Sequence, residues 1–365
     1  MQSFAKRVVT WQREHGRHDL PWQNTRDPYR IWLSEIMLQQ TQVTTVLPYY
    51  LRFVESFPDV AALAAAPIDD VLAHWSGLGY YRRAHFLHAA AREVVSAHAG
   101  AFPRDADVLE SLPGIGRSTA AAIAAFSSGA RGAILDGNVK RVLARHAGIE
   151  GWPGLPKVEA RLWDAAETRL PHVARDGDIE AYTQGMMDLG ATVCTRTNPR
   201  CGACPVREDC IALREQRVDT LPAKRPPREL PHRELQLLVI EREGKVLFER
   251  RPAAGIWAGL WSLPECAVTD DATAVARDRF GVDTVNPLPL PPLEHGFTHY
   301  TLTLHPVRLS ATDSHLHRAF DSGEPQAWFA PEAADAAGLP SPIRRLVRAL
   351  DLGGFALVPL IPARS

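Results

Sequence analysis

The sequence predicts a multidomain protein with an all-α domain over residues 1–213, a linker at 214–232 and an α+β domain over 233–358. Three observations predict this. Up to about Leu213, apolar residues recur with the 3.6-residue period of helices, and strand-like alternation is nearly absent. Then "REQRVDTLPAKRPPRELPHRE" is rich in proline and charge and has no apolar period, as a linker does. Beyond it, short β-like runs alternate with two helical stretches. At 365 residues the chain is long enough for two separate cores.

Composition narrows the class further. Apolar residues make up 45% and charged residues 23%, ordinary values for a soluble globular protein. The net charge is −1 and the pI about 6.9, so nucleic-acid binding requires basic residues gathered on one face. No apolar run approaches the roughly 20 residues of a membrane span, and the N-terminus lacks a signal-peptide core. A soluble, cytoplasmic protein is therefore expected.

Taken in order, the elements begin with "GRHDLPW", which holds Arg17 and Trp22. Next, "WLSEIMLQQTQV" (Trp32 to Val43) reads as helix. There Glu35 has Ile31, Trp32, Leu38 and Gln39 as same-face neighbours. A carboxylate on such a face adds no solubility. Desolvation there would raise its pKa, unless an internal salt bridge neutralises it. "FPDVAALAAAPIDDVLAHW", "YYRRAHFLHAAAREVVSAH", "STAAAIAAFSSG", "NVKRVLARHAG" and "VEARLWDAAETRL" follow as helices separated by Pro/Gly breaks. In the second domain "ELQLLVIER", "KVLFERR", "WSLPECAV", "YTLTLHPVRL" and "PQAWFA" read as strands. "TDDATAVARDRFG" and "SPIRRLVRAL" read as helices.

Three stretches carry chemistry. In "LPGIGRSTAAAIAAF", Gly114 and Gly116 form a tight turn before a helix, leaving backbone amides free for a phosphate. No strand precedes the turn and a third glycine is missing, so it is not a dinucleotide fingerprint. It is either a plain helix connection or a helix-hairpin-helix DNA contact spanning 112–117. In "ILDGNVKRVLAR", Asp136 with Asn138 is either a helix N-cap or a functional carboxylate. Cys194, Cys201, Cys204 and Cys210 can hold zinc or an iron–sulfur cubane over a loop at 194–210. Arg196 and Arg200 in that loop suit either an anionic cluster or phosphates. Cys266 stands apart and reads as a buried small hydrophobe.

With these stretches in view, the chain resembles the MutY-type adenine DNA glycosylases of the endonuclease III-like, helix-hairpin-helix superfamily, at close to full length. "LPWQNTRDPYRIWLSEIMLQQTQV", "GLGYYRRAHFLHAAA", "LPGIGRSTAAAI", "MMDLGATVCTRTNPRCGACPVREDC" and "HGFTH" carry the resemblance, and the cysteine spacing matches that superfamily's iron–sulfur loop. The resemblance implies a monofunctional enzyme that excises adenine opposite 8-oxoguanine or guanine in double-stranded DNA, as a monomer with one [4Fe-4S] cluster. Glu35 would protonate the base and Asp136 would stabilise the cationic sugar, with Asn138 positioning. Arg17 and Trp22 would line the adenine pocket. Gln40 and Tyr80 would fill the gap beside the flipped base. Gly114, Gly116, Ser118, Lys140, Arg196 and Arg200 would contact DNA.

Serine at 118 departs from the branch whose lysine attacks the sugar as an amine; that branch, the glycosylase/lyases for oxidised pyrimidines, is the alternative. The second domain resembles the Nudix fold without its run of metal-binding carboxylates, so recognition is expected in place of hydrolysis. Phe297, Thr298 and His299 stand where the family reads 8-oxoguanine with Phe-Ser-His. Threonine keeps the hydroxyl and adds a methyl.

Overall fold

Helix α1 (Phe4–His15) starts at Ser3, whose side chain accepts from Lys6 N at 3.3 Å. Helix α2 (Pro28–Leu38) starts at Asp27, which accepts from Tyr29 N at 3.0 Å; Pro28 takes the first helical position, where no amide is needed. This computed structural model describes residues 2–171, 177–227, 229–252, 255–297, 299–312, 326–331, 333 and 338–350.

The sequence period carries α2 on through the glutamines, but the helix stops at Leu38. Gln40 takes a left-handed φ of 58°, which ends the helix and turns its exposed side chain outward before α3 (Val43–Ser56) begins. Then come α4 (Val60–Ala65), α5 (Ile68–Trp75), α6 (Arg82–Ala97), α7 (Ala106–Ser111), α8 (Arg117–Ser128), α9 (Gly137–His146), α10 (Pro156–Thr168) and α11 (Asp178–Asp188). A π-helical turn, Leu189–Val193, extends α11 towards the cysteine loop, which ends in α12 (Ile211–Arg214). Among the described residues, no helix is long and apolar enough to cross a membrane.

The chain divides into two units. The first contains residues up to Ala65 together with Phe86–Pro227. Its core gathers Val8, Val139, Leu143, Leu162, Tyr182 and Leu189 from α1, α9, α10, α11 and the π-helical turn. Each such aliphatic side chain contributes roughly 1.5–3 kcal/mol on burial.

The second unit contains the chain from Arg228 onward together with Ala66–His85, a grouping that the sequence boundary at 213 does not reveal. Its strands are β1 (His232–Arg242), β2 (Lys245–Arg250), β3 (Trp261–Ser262), β4 (Glu265–Cys266), β5 (Thr284–Pro289), β6 (Leu293–Gly296), β7 (Thr301–Ala311) and β8 (Gln326–Phe329). They form one mixed sheet in the order β3-β2-β1-β7-β5, with β4 on β1, β6 on β7 and β8 on β2. β1 and β7 run parallel, in register from His232↔Thr301 to Glu241↔Ser310, and Leu237 to Ile240 are fully buried. Helices α13 (Ala272–Phe280) and α14 (Ser341–Ala349) complete the described elements. Ala272, Ala276 and Phe280 of α13 pack with Leu238, Ile240 and Leu309 of the sheet.

β5 and β6 were not expected. β5 carries Pro287 and Pro289, which an edge strand tolerates, and its residues after Thr284 are exposed, so it has no apolar alternation to read. "WSLPECAV" is two short pieces, β3 and β4, separated by Pro264. Cys266 is only partly buried, and its thiol donates to Gln236 Oε1 at 3.2 Å, so it is not the buried hydrophobe its isolation predicts.

Candidate active site and iron–sulfur loop

Glu35 lies on α2 and opens into a cavity of about 380 Å³, within the roughly 300–1,000 Å³ of small-molecule pockets. Arg17, Trp22, Ile31, Phe126 and Gln184 also line it. The apolar residues of α2 around Glu35 are buried, and among the described residues its carboxyl has no hydrogen-bond or ion-pair partner. Burial pushes it up to about 8, with the nearby charge of Asp136 adding to the shift.

Asp136 is the N-cap of α9. Its Oδ1 accepts from Asn138 N at 2.7 Å and Val139 N at 2.8 Å, leaving Oδ2 uncommitted among the described residues. Burial raises this carboxyl too, but the two amides, Arg141 and Lys140 all oppose the shift. Glu35 has no such opposition. Of the two, Glu35 keeps the proton and Asp136 ionises more readily.

The other expected residues fall as follows. Ser118 Oγ accepts from Leu135 N at 2.8 Å and so fixes the chain just before Asp136. Lys140 Nζ pairs with Glu159 at 2.5 Å. Asn138 supports Asp136 through its backbone amide, while its side-chain Oδ1 accepts from Arg141 Nη2 at 2.8 Å. Arg17 donates its amide (2.9 Å) and Nε (2.7 Å) to Asp188, and Trp22 packs edge-on against Tyr50 at 5.1 Å.

The hairpin turn lies between α7 and α8. Gly114 has φ +77°, and a Cβ there would come within 2.6 Å of Phe86 Cβ, so glycine is required. Gly116 caps α8 without a side-chain hydrogen bond, leaving the first amides of that helix to a ligand. Gln40 and Tyr80 both have positive φ, and Tyr80 is 49% exposed. Arg83 Nη2 and Trp75 Nε1 both donate to Gly79 O, at 3.2 and 3.1 Å, holding the Tyr80 turn.

Several residues that support the site had no signal in the sequence. Asp188, fully buried, accepts from Arg17 and, at 2.8 Å, from Gln184 Nε2. It thereby ties two pocket residues together. Arg141 binds Asn138, Gly190 O (2.6 Å) and Cys194 O (2.7 Å). Arg145, 3% exposed, donates to Cys194 Sγ at 3.3 Å, Thr195 O at 2.7 Å and Leu221 O at 2.8 Å. A Cβ at Gly190 would lie 2.5 Å from Asn138 Cβ, so the π-helical turn and α9 touch backbone to backbone. The sequence could have hinted at this only through two arginines one helical turn apart.

Cys194, Cys201, Cys204 and Cys210 line one hollow together with Val142 and Arg145. Burial pushes the Cys204 thiol up to about 12 and raises Cys201 and Cys210, so thiolates there call for a compensating positive charge. Among the described residues no group of three or more His, Cys, Asp or Glu is arranged to hold a metal ion. Arg196 and Arg200 are exposed; Arg200 Nη2 also donates to Thr192 O at 2.6 Å.

In the second unit, Phe297 stacks on Tyr300 at 4.7 Å, and His299 meets Tyr300 edge-on at 4.8 Å. Thr298 lies outside the described residues. Burial raises Glu249 and Glu265, and arginines neutralise both: Arg279 pairs with Glu249 at 2.9 Å, and Arg251 pairs with Glu265.

Residues 33–168 match the HhH-GPD superfamily of base excision DNA repair proteins, 194–210 the iron–sulfur binding domain of endonuclease III, and 236–349 a NUDIX domain. The hairpin, the paired carboxyls and the cysteine loop thus define the class, a helix-hairpin-helix base excision glycosylase with an iron–sulfur domain. The chain belongs to the adenine DNA glycosylase family. It is 33% identical to the adenine DNA glycosylase of Buchnera aphidicola subsp. Acyrthosiphon pisum, covering 94% of this chain and 96% of that protein. To the human adenine DNA glycosylase it is 34% identical, over 72% of this chain and 57% of the human one. A solved thermostable thymine-DNA glycosylase superposes with a TM-score of 0.52 at 29% identity, covering 58% of this chain and 95% of that one.

Proposed function

We propose that the protein excises adenine standing opposite 8-oxoguanine or guanine in double-stranded DNA and leaves an abasic site. One observation carries the reading: Glu35, pushed up to about 8 by burial and by the charge of nearby Asp136, opens into a cavity of about 380 Å³, and that aspartate caps a helix. Adenine leaves poorly as an anion. Glu35 transfers its proton to N7 as the glycosidic bond breaks, and the bonding electrons depart with a base that leaves neutral. The sugar becomes cationic at C1′, where Asp136 supplies the opposing charge through the oxygen its helix does not use. Water then adds at C1′ and gives a proton back to Glu35. Such chemistry needs the base out of the stack, and the cavity is where the flipped adenine would sit.

Ser118 argues against the lyase alternative: a hydroxyl forms no Schiff base, and this one is engaged by Leu135 N. The cysteine loop suits one [4Fe-4S] cluster. Four sulfurs line a hollow, with Arg145 donating to Cys194. Phe297, Thr298 and His299 read the opposite base, because adenine's own edge cannot mark it as mispaired.

The test is a gel assay on duplex carrying adenine opposite 8-oxoguanine, with and without alkali. Strand cleavage that requires alkali is the expected result. Efficient cleavage without alkali would sink the argument from Ser118, and none under either condition would sink the enzyme. Purified protein should also be brown, from sulfur-to-iron charge transfer; a colourless anaerobic preparation with one zinc per chain would replace the cluster.

A further inference from the structure

We propose that Trp257 is a positioning residue for the opposite-base reader, and that His85 ties it to the turn carrying Tyr80, so that both recognition elements are held as one piece. The proposal rests on the reading of residues 297–299 as the 8-oxoguanine contact.

Trp257 is 8% exposed and has φ +54°, a backbone conformation that is costly for an aromatic residue and persists only where its surroundings impose it. Those surroundings are specific. Gly259 N donates to Pro252 O at 3.1 Å, Leu260 N to Trp257 O at 3.1 Å, and Arg251 Nε to Ile256 O at 3.1 Å, closing the turn around it. The indole so presented lies 5.6 Å from the Phe297 ring and 5.7 Å from His295. Phe297 stacks on Tyr300 at 4.7 Å, meets His295 edge-on at 4.6 Å, and donates its amide to Tyr300 O at 2.9 Å. Trp257, tilted against both His295 and Phe297, is therefore one wall of the ring cluster that seats Phe297.

The neighbouring carbonyl provides the link. His85 Nε2 donates to Ala258 O at 2.9 Å. His85 lies in the first turn of α6, where its amide donates to Tyr81 O at 3.2 Å and that of Arg83 donates to Tyr80 O at 2.9 Å. Tyr81 OH in turn donates to Leu339 O at 3.1 Å and accepts from Gly77 N at 3.1 Å, so the Tyr80 turn is clamped from both sides. A wedge and a reader that address one base pair must keep their separation to within a fraction of an ångström, or the reader's hydrogen bond is lost. A prebuilt link supplies that separation before DNA arrives, at less entropic cost than ordering two free loops.

The test uses full-length Trp257→Leu, Trp257→Phe, His85→Leu and the Trp257→Leu/His85→Leu double variant. Single-turnover excision of adenine is measured opposite 8-oxoguanine and opposite guanine, and the ratio of the two rates is the readout. An inactive fraction leaves that ratio unchanged, so a merely structural defect does not mimic the effect. Trp257→Leu and His85→Leu should each lower the ratio about fivefold or more, the low end of what one polar base contact is worth. Trp257→Phe should restore most of it. The double variant should be no worse than the worse single one, because both break one link. An unchanged ratio in Trp257→Leu overturns the proposal, and independent, multiplying effects overturn the link to His85. If the wild type shows no preference, the 8-oxoguanine reading falls and the proposal with it. If the wild type prefers 8-oxoguanine and Trp257→Leu does too, only the proposal falls.

Discussion

Burial first, and the charge of Asp136 second, push the Glu35 carboxyl from its ordinary value of 4.5 up to about 8. Between those two values the folded state holds a proton that the unfolded chain has released. Stability conferred by this proton is present below about pH 4.5 and is lost as pH rises towards 8, at roughly 1.4 kcal/mol per pH unit. Glu35→Gln should abolish that slope, so its melting temperature should overtake the wild type's between pH 5 and pH 9. Parallel melting profiles would mean an ordinary carboxyl. The same variant should bind mispaired DNA but excise roughly 100- to 10,000-fold more slowly. Wild-type excision should decline as pH rises through about 8, when Glu35 loses its proton. Asp188 is the second residue to test. It accepts from Gln184 Nε2, so on the proposed reading the amide oxygen would face the 6-amino group of adenine. Asp188→Asn should therefore slow excision of adenine about tenfold or more, a loss typical of one hydrogen bond to a charged group, and slow unsubstituted purine much less. Equal slowing of both bases in single-turnover assays would assign Asp188 to packing alone.

At the level of elements, α9 does two jobs. Its N-terminus donates two amides to the capping Asp136, and Arg141 and Arg145 on its later turns hold the cysteine loop through Cys194 and Thr195. Arg141→Leu would remove the bonds to Asn138, Gly190 and Cys194 together, and should lower both the iron content and the excision rate. Full iron occupancy with normal excision would show that the loop holds itself. How far each element was legible varies with what its residues touch. Helix α10 follows the apolar period closely, because it packs one face, Val158, Leu162, Ala165 and Ala166, on the core of its own unit. The end of α2 was hidden, because a positive φ at Gln40 is not written in residue type. The edge strand β5 was hidden by its prolines.

For the whole molecule, Ala66–His85 belongs with the C-terminal unit. Ser76 Oγ and Tyr81 OH both donate to Leu339 O, and Arg250 pairs with Asp69. Removing the chain from Arg228 onward therefore strips those partners from the segment that carries Tyr80, in addition to the proposed reader. The truncated enzyme should lose preference for 8-oxoguanine and should also melt at a lower temperature than the full chain. A truncated enzyme with unchanged preference in single-turnover kinetics would give the C-terminal unit another role. One with unchanged melting would mean that Ala66–His85 is held by the glycosylase elements alone.

The sequence by itself determined the elements whose chemistry is local. The cysteine spacing, the hairpin glycines, the carboxylate on an apolar helical face and the aspartate at a helix start depend on neighbours within a turn or one loop, and spacing encodes those. Serine at 118 likewise announced its chemistry through residue type. Tertiary structure alone decided which residues support them. Arg145 meets Thr195 across 50 residues, Arg17 meets Asp188 across 171, His85 meets Ala258 across 173, and Ser76 meets Leu339 across 263. An arginine or histidine on a helix looks the same in sequence whether it faces water or a distant carbonyl. Only the packing of remote segments fixes its partner, because hydrogen bonds form between atoms brought within about 3 Å and not between positions in a chain.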